Sequence, residues 1–295
     1  MFNQEHCSPD VKKQTISCYD IHVLKKIAKI INKQEDEKVI NLRLGKKKLY
    51  ERLSQYFNEE SKCKNEICWI KEIKDELNEM EYENFMDYFK PVIPEKWKKN
   101  KNQWLTTIDI DDVLSQYQDK YPKFKYMGAN PIDFAKKQNN QCVTGGNMCH
   151  IDLTLLKKKY KKIGVVFNTD KSNDPGQHWF SLFIDLFGDN RIENGKKIPT
   201  IYYFDSAQKL TPKNFDNNIP QEIKDLVTKL KKQDKKLQFL WNDDKLQYKN
   251  TECGVYCIHF IINMLEGIDF QDYIDTKIND SEIEKFRLKY FINVK

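Results

Sequence analysis

The stretch QYKNTECGVYC, residues 247–257, continues into the apolar run IHFIINML, and its reading decides the fold. A glutamine stands six positions before a cysteine, and that cysteine is followed at once by glycine. The segment CGVYCIHFIINML is apolar nearly all round, which predicts a helix buried on every side. Cys253 falls where that helix should begin, and Gly254 allows tight backbone packing there. Two readings of Cys253 compete: a core thiol opening a buried helix, or a nucleophile. The helix dipole favours negative charge at that end, and a thiol attacks well only as a thiolate. Cys257, one turn further in, reads as plain core.

An activated thiol needs a base. Of five histidines, His6 lies in an unstructured-looking start, His22 on a helix, His150 after the NMC turn, and His259 inside the buried helix. His178 differs. It follows the turn NDPGQ and opens the apolar run WFSLFIDLF, so it stands at the mouth of a strand. A base also needs an orienting acceptor. The next strand, TIYYFDS, ends in Asp205. If the two strands are antiparallel neighbours, the start of one lies beside the end of the other. Asp185 is the rival acceptor, with an outward strand position or a turn-side acceptor as its ordinary reading. Gln247, on the loop before the helix, can donate with the backbone N–H of Cys253 to an oxyanion.

The rest of the chain divides by character. Residues 1–100 read as a helical arm. In DIHVLKKIAKIIN, Ile21, Leu24, Ile27, Ala28 and Ile31 share a face behind Asp20 as N-cap. KKKLYERLSQYF and CWIKEIKDEL repeat the pattern. Pro91, Pro94 and the polar EKWKKNKNQ mark the boundary. Residues 101–295 then mix helices with the short β-branched and aromatic runs KIGVVFN, HWFSLFIDLF, TIYYFDS and LQFLWN. WLTTIDIDDVLSQY reads as a helix behind a threonine cap. NPIDFAKK reads as opening another. The fold class is α+β.

Composition narrows the function. With 39% hydrophobic and 32% charged residues the 295-residue chain is globular rather than disordered. The net charge of +6 is modest and carried almost wholly by lysine, with arginine only at 43, 52, 191 and 287. A nucleic-acid reader would use more arginine, so contact with nucleic acid is expected only as a weak side activity of the lysines. The start MFNQEHCSPD has no apolar core of a signal peptide, and no run reaches membrane-spanning length. With no export signal, the eight cysteines read as reduced thiols. Zinc around Cys142, Cys149 and His150, or at Cys63 and Cys68, matches no standard ligand ladder. Neither a metal nor a cofactor is expected. TGGN at 144–147 raises self-cleavage, against the ordinary reading of a turn.

HWFSLFIDL, YYFDS and QYKNTECGVYC, in that order, resemble the ubiquitin-like-protein (SUMO) protease and adenain superfamily of cysteine peptidases. The resemblance covers roughly residues 101–295 and is greatest to the processing proteases of large cytoplasmic DNA viruses. It implies a papain-like core, a mixed sheet packed on the buried helix that carries the cysteine. It implies Cys253 as nucleophile, His178 as base, Asp205 as its orienter and Gln247 as oxyanion donor. It also implies that Trp104 and Trp179 roof a tunnel admitting only a Gly-Gly segment. Two indoles leave room for glycine and exclude side chains by shape. Glu252 stands where the cellular enzymes carry aspartate, and DNRIENGKK lengthens the gap between His178 and Asp205. The expected activity is endopeptidase cleavage of viral structural precursors after Gly-Gly-like sequences, at assembly sites in the host cytoplasm or in the virion. The alternatives are a deconjugase of a ubiquitin-like modifier and a non-enzymatic lysine-rich nucleic-acid or capsid-binding protein.

Overall fold

A computed structural model describes residues 4–11, 16–35, 39–144, 146–208 and 219–293. The chain divides into two compact units, residues 1–93 with 289–295, and residues 94–288.

The first unit is helical. Asp20 caps Ile21–Gln34, its carboxylate accepting from the N–H groups of His22 and Val23. Leu24, Ile27, Ala28 and Ile31 are buried along that helix. Leu49, Leu53 and Phe57 do the same for Lys46–Glu60. The two apolar stripes close on Ile67, Trp69 and Ile70 of the Glu66–Glu72 helix. Trp69 stacks on Phe57 at 5.3 Å between ring centroids.

The second unit is built on a five-stranded mixed sheet in the order Phe124–Pro131, Lys162–Asn168, Trp179–Asp185, Thr200–Phe204, Gln238–Trp241. The outer pairs are parallel and the two inner pairings antiparallel. The central strands read as unbroken apolar runs because both faces are covered. On one face Val165, Phe167, Phe180, Leu182 and Tyr203 pack with Ile223, Leu226 and Leu230 of the helix Gln221–Gln233. Against the other lies the helix Cys253–Glu266, with Phe260 stacked on Phe204 at 4.7 Å. Of the fourteen residues of this helix, twelve are buried, as its composition predicts.

The structure overturns two expectations. NPIDFAKK opens no helix. Asn130 and Pro131 end the edge strand Phe124–Pro131, which the sequence pattern does not reveal, and turns follow. Gly128, at φ +83°, interrupts the strand register, and the buried Asn130 amide donates to the carbonyls of Met127 and Gly128. These local bonds hold the backbone out of the helical region. Six of the eight cysteines are also not single thiols. Cys7–Cys18, Cys63–Cys68 and Cys142–Cys149 form disulfides, with Cα separations of 5.2, 5.5 and 6.2 Å. Only Cys253 and Cys257 remain as thiols among the described residues. The two clusters read as conceivable zinc sites thus hold their sulfurs in S–S bonds, with His150 Nε2 2.9 Å from Cys142 Sγ. The insertion DNRIENGKK forms a short hairpin, Ile192–Glu193 with Lys196–Lys197, turning at Asn194 and Gly195, both at positive φ. The TGGN stretch includes Gly145, which lies outside the described residues. No described helix is long and apolar enough to cross a membrane.

Candidate active site

Antiparallel pairing brings the imidazole and the carboxylate together. Ser181 pairs with Phe204, so the residue before one strand stands beside the residue after the other. His178 Nε2 lies 2.6 Å from Asp205 Oδ1. The same oxygen accepts the N–H of Ala207 at 2.9 Å, which fixes the carboxylate plane. Asn242, fully buried, clamps the backbone behind it. Its Oδ1 accepts from Asp205 N and its Nδ2 donates to Asp205 O, at 2.9 and 2.8 Å. Asp185, the rival acceptor, is buried instead and takes the N–H groups of Phe187, Gly188 and Asn190. It is a turn-side acceptor.

The thiol enters from the other side of the ring. Cys253 is the first residue of its helix and lies near enough to the His178 ring to bear on its titration. With Nε2 committed to Asp205, the other ring nitrogen is the one left for sulfur. Burial pulls the imidazole pKa down. The hydrogen bond to Asp205, the nearby Cys253 thiol and the charges of both outweigh burial and raise it to about 10. Cys257 is a different thiol. Complete burial pushes its pKa well above the usual value, and it stays core.

Gln247 is buried on the loop before the helix. Its Oε1 accepts from Ser206 Oγ and its Nε2 gives one hydrogen to Lys249 O, both at 2.7 Å. Ser206 adjoins Asp205, so the segment that orients the carboxylate also orients the amide. The backbone repeats the link, with Gln247 N donating to Ser206 O at 2.7 Å.

Trp104 and Trp179 form walls of one cleft of about 530 Å³, shared with Thr106, Asn168 and Gly176. Trp179 is 7% exposed and donates its indole N–H to Leu105 O at 3.0 Å; Trp104 is 38% exposed. The bond ties the Trp104–Leu105 segment to the strand that begins beside His178. Neither His178 nor Cys253 lines the cleft, which adjoins them through Trp179, the residue after His178. Gly254 lets Leu105 pack closely on the first turn of the Cys253 helix, since a Cβ there would stand 3.0 Å from Leu105 Cβ. The capping box of Thr106 and Asp109 fixes where the following helix, Thr107–Lys120, starts.

Two residues of the site escape sequence reasoning. Asn242 ends the strand run LQFLWN and carries no motif. Arg287, on the last helix of the unit, reaches back to Glu252 with Nη2 at 2.9 Å from both carboxylate oxygens. The abrupt buried acid in TECG, directly before the cysteine, is the one signal that a cation had to be found for it.

A thiol at a helix start, with an imidazole near it and a carboxylate behind the ring, is the arrangement cysteine-peptidase chemistry calls for. Residues 110–295 match the model of the Ulp1 protease family, C-terminal catalytic domain, and the chain belongs to that family. Among curated proteins it is 28% identical to a protein of Acanthamoeba polyphaga mimivirus named provisionally as a thiol protease, over 97% of this chain and 93% of the other. It is also 28% identical to a cysteine protease of African swine fever virus, over 65% of this chain and 69% of that one. Among solved structures, the African swine fever virus protease superposes with a TM-score of 0.66 at 21% identity, covering 98% of this chain and 96% of that one. The papain-like α+β core expected from the sequence is the fold observed.

Proposed function

We propose that this cysteine peptidase cuts protein precursors after Gly-Gly-like sequences, with Cys253 as nucleophile. The observation that carries the reading is the His178 ring hydrogen-bonded to Asp205, with Cys253 at the head of the buried helix near enough to bear on the ring's titration. In the proposed reaction the thiolate adds to the scissile carbonyl. The oxyanion is met by Gln247 Nε2 and the backbone N–H of Cys253. His178 gives its proton to the leaving amine, so the C–N bond breaks and a thioester remains. Water then attacks, the ring takes its proton, and the thiolate is released. Asp205 keeps the ring in the tautomer and orientation both steps need.

The cleft between Trp104 and Trp179 supports a substrate segment without side chains. Relatives named as viral proteases support viral precursors as the substrates, cut at assembly sites in the host cytoplasm or in the particle. Residues 101–295 serve as the catalytic domain and residues 1–100 as an arm.

The test is a peptide panel varying the two residues before the cut. Wild type should cleave only peptides with Gly-Gly or close mimics there, and Cys253→Ala none. Cleavage by the Cys253→Ala protein would overturn the assignment. One observation favours a second substrate class: a swine fever virus relative is named a SUMO-1 cysteine protease. A ubiquitin-like modifier carrying a C-terminal electrophile separates the two. Labelling of Cys253 favours deconjugation; no labelling alongside peptide cleavage favours precursor processing.

A further inference from the structure

Glu252 presents a difficulty. It is fully buried and is the N-cap residue of the helix that begins at Cys253, so its charge is buried one residue from the position where a thiolate would form. A second negative charge that close opposes the first. Arg287 answers it. Its Nε lies 3.3 Å from Glu252 Oε2 and its Nη2 2.9 Å from both oxygens, with only 5% of the residue exposed. The guanidinium does more than cancel a charge. Nη1 donates to Gln103 O at 2.7 Å and Nη2 to Thr251 O at 3.4 Å, and the plane lies over the Trp97 ring at 4.6 Å. One planar fork therefore touches the residues before the Cys253 helix and the residue before Trp104. From Gln103 the chain passes through Trp104 to Leu105, whose carbonyl holds the Trp179 indole beside His178. A buried ion pair is often no more stabilising than apolar residues of the same volume, so stability alone does not account for it.

We propose that Arg287 is a positioning residue for the peptidase reaction: clamped on Glu252, it fixes the first turn of the Cys253 helix and the Trp104 wall of the cleft in one register. The inference rests on the proposed roles of Cys253 and Trp104. It acts at both ends of the site, so its loss should lower kcat through the helix end and raise KM through the wall.

The experiment uses the full chain with Arg287→Lys, Arg287→Met and the double variant Arg287→Met with Glu252→Leu, each checked for folding by near-UV circular dichroism. Lysine keeps the charge and loses the fork, so kcat/KM on a Gly-Gly peptide should fall about tenfold. Methionine should lower it about 100-fold, the scale of a misplaced reacting group. The double variant removes the stranded buried carboxylate and should fold like wild type while remaining at least about tenfold impaired, with KM raised. A folded double variant with wild-type kcat and KM would overturn the proposal. Alkylation of Cys253 by iodoacetamide, read by peptide mass mapping, needs no substrate. It should slow about tenfold in Arg287→Met and recover in part in the double variant, because only the first leaves the Glu252 charge uncompensated beside the sulfur. An unchanged alkylation rate in folded Arg287→Met overturns the charge role. If wild type cleaves no Gly-Gly peptide yet the alkylation pattern holds, the substrate reading fails and the positioning of Cys253 stands.

Discussion

The two units differ in how far along the chain their parts are drawn from. In residues 1–93 the core is assembled from successive helices, three of them capped by Asp20, Asn65 and Asn78, and two disulfides join cysteines 11 and 5 positions apart. In residues 94–288 the site joins residues 178, 205, 247 and 253 with a wall at 104, and only a sheet register and a buried helix bring them together. Local order is easy to specify and easy to replace. A site built from distant segments gains precision because each side chain is fixed by the fold's deepest contacts. Substitutions in the second unit should therefore cost activity far more than stability, and those in the first should do the reverse.

The sharpest break in that contrast is at the reacting groups. Cys253→Ala and His178→Ala should each lower kcat/KM by about 10⁴-fold or more, and Cys253→Ala should leave the melting temperature within a few degrees of wild type, measured by peptide cleavage and calorimetry. Gln247→Ala comes next, at about 100-fold in kcat, the scale of one lost oxyanion donor. Restoration of the rate by Gln247→Asn would argue that any nearby amide suffices and would weaken the geometric reading. Trp104→Ala should barely change cleavage of Gly-Gly peptides but relax discrimination against Ala-Ala by about tenfold, since the wall excludes side chains by shape.

Two pH experiments sharpen the comparison further. The imidazole of His178 is raised from 6.5 to about 10, so the folded protein holds that proton more tightly than the unfolded chain does. Its contribution to stability is full below about pH 6.5 and is lost as pH climbs through about 10. Activity should fall on the same alkaline limb, and His178→Ala should remove the stability slope between those limits. In the first unit, burial raises the Glu66 carboxyl from 4.5 to about 7, against the opposing hydrogen bonds from Ser17 and Cys18. The sign matches that of the histidine, in a lower window. The Glu66 contribution to stability is most favourable below about pH 4.5 and is lost as pH rises through about 7. Glu66→Gln should flatten that slope without altering peptide cleavage. A Glu66→Gln protein with lost activity would contradict the division of labour between the units.

Much of this was legible before any coordinates, and the exceptions have a common cause. Asp20 and Thr106 announce their helices because a cap acts within one turn. The strand pair was readable because His178 and Asp205 end apolar runs of opposite direction. The disulfides were not, because spacing between cysteines does not encode proximity. Asn130–Pro131 looked like a helix start because the pattern of a buried edge strand, broken at Gly128, is invisible to local propensity. Asn242 and Arg287 were missed for the same reason. Each acts on a partner 35 or more positions away, through bonds that only the folded sheet and helices bring within reach.

The central claim is that the sulfur at the head of the buried helix is the atom that attacks. A Gly-Gly peptide vinyl sulfone, incubated with the full chain and followed by mass mapping, tests it most directly. The account predicts a single adduct on Cys253, suppressed in His178→Ala, with Cys257 unmodified. An adduct at any other residue, or equal labelling of Cys253 without the histidine, would contradict it.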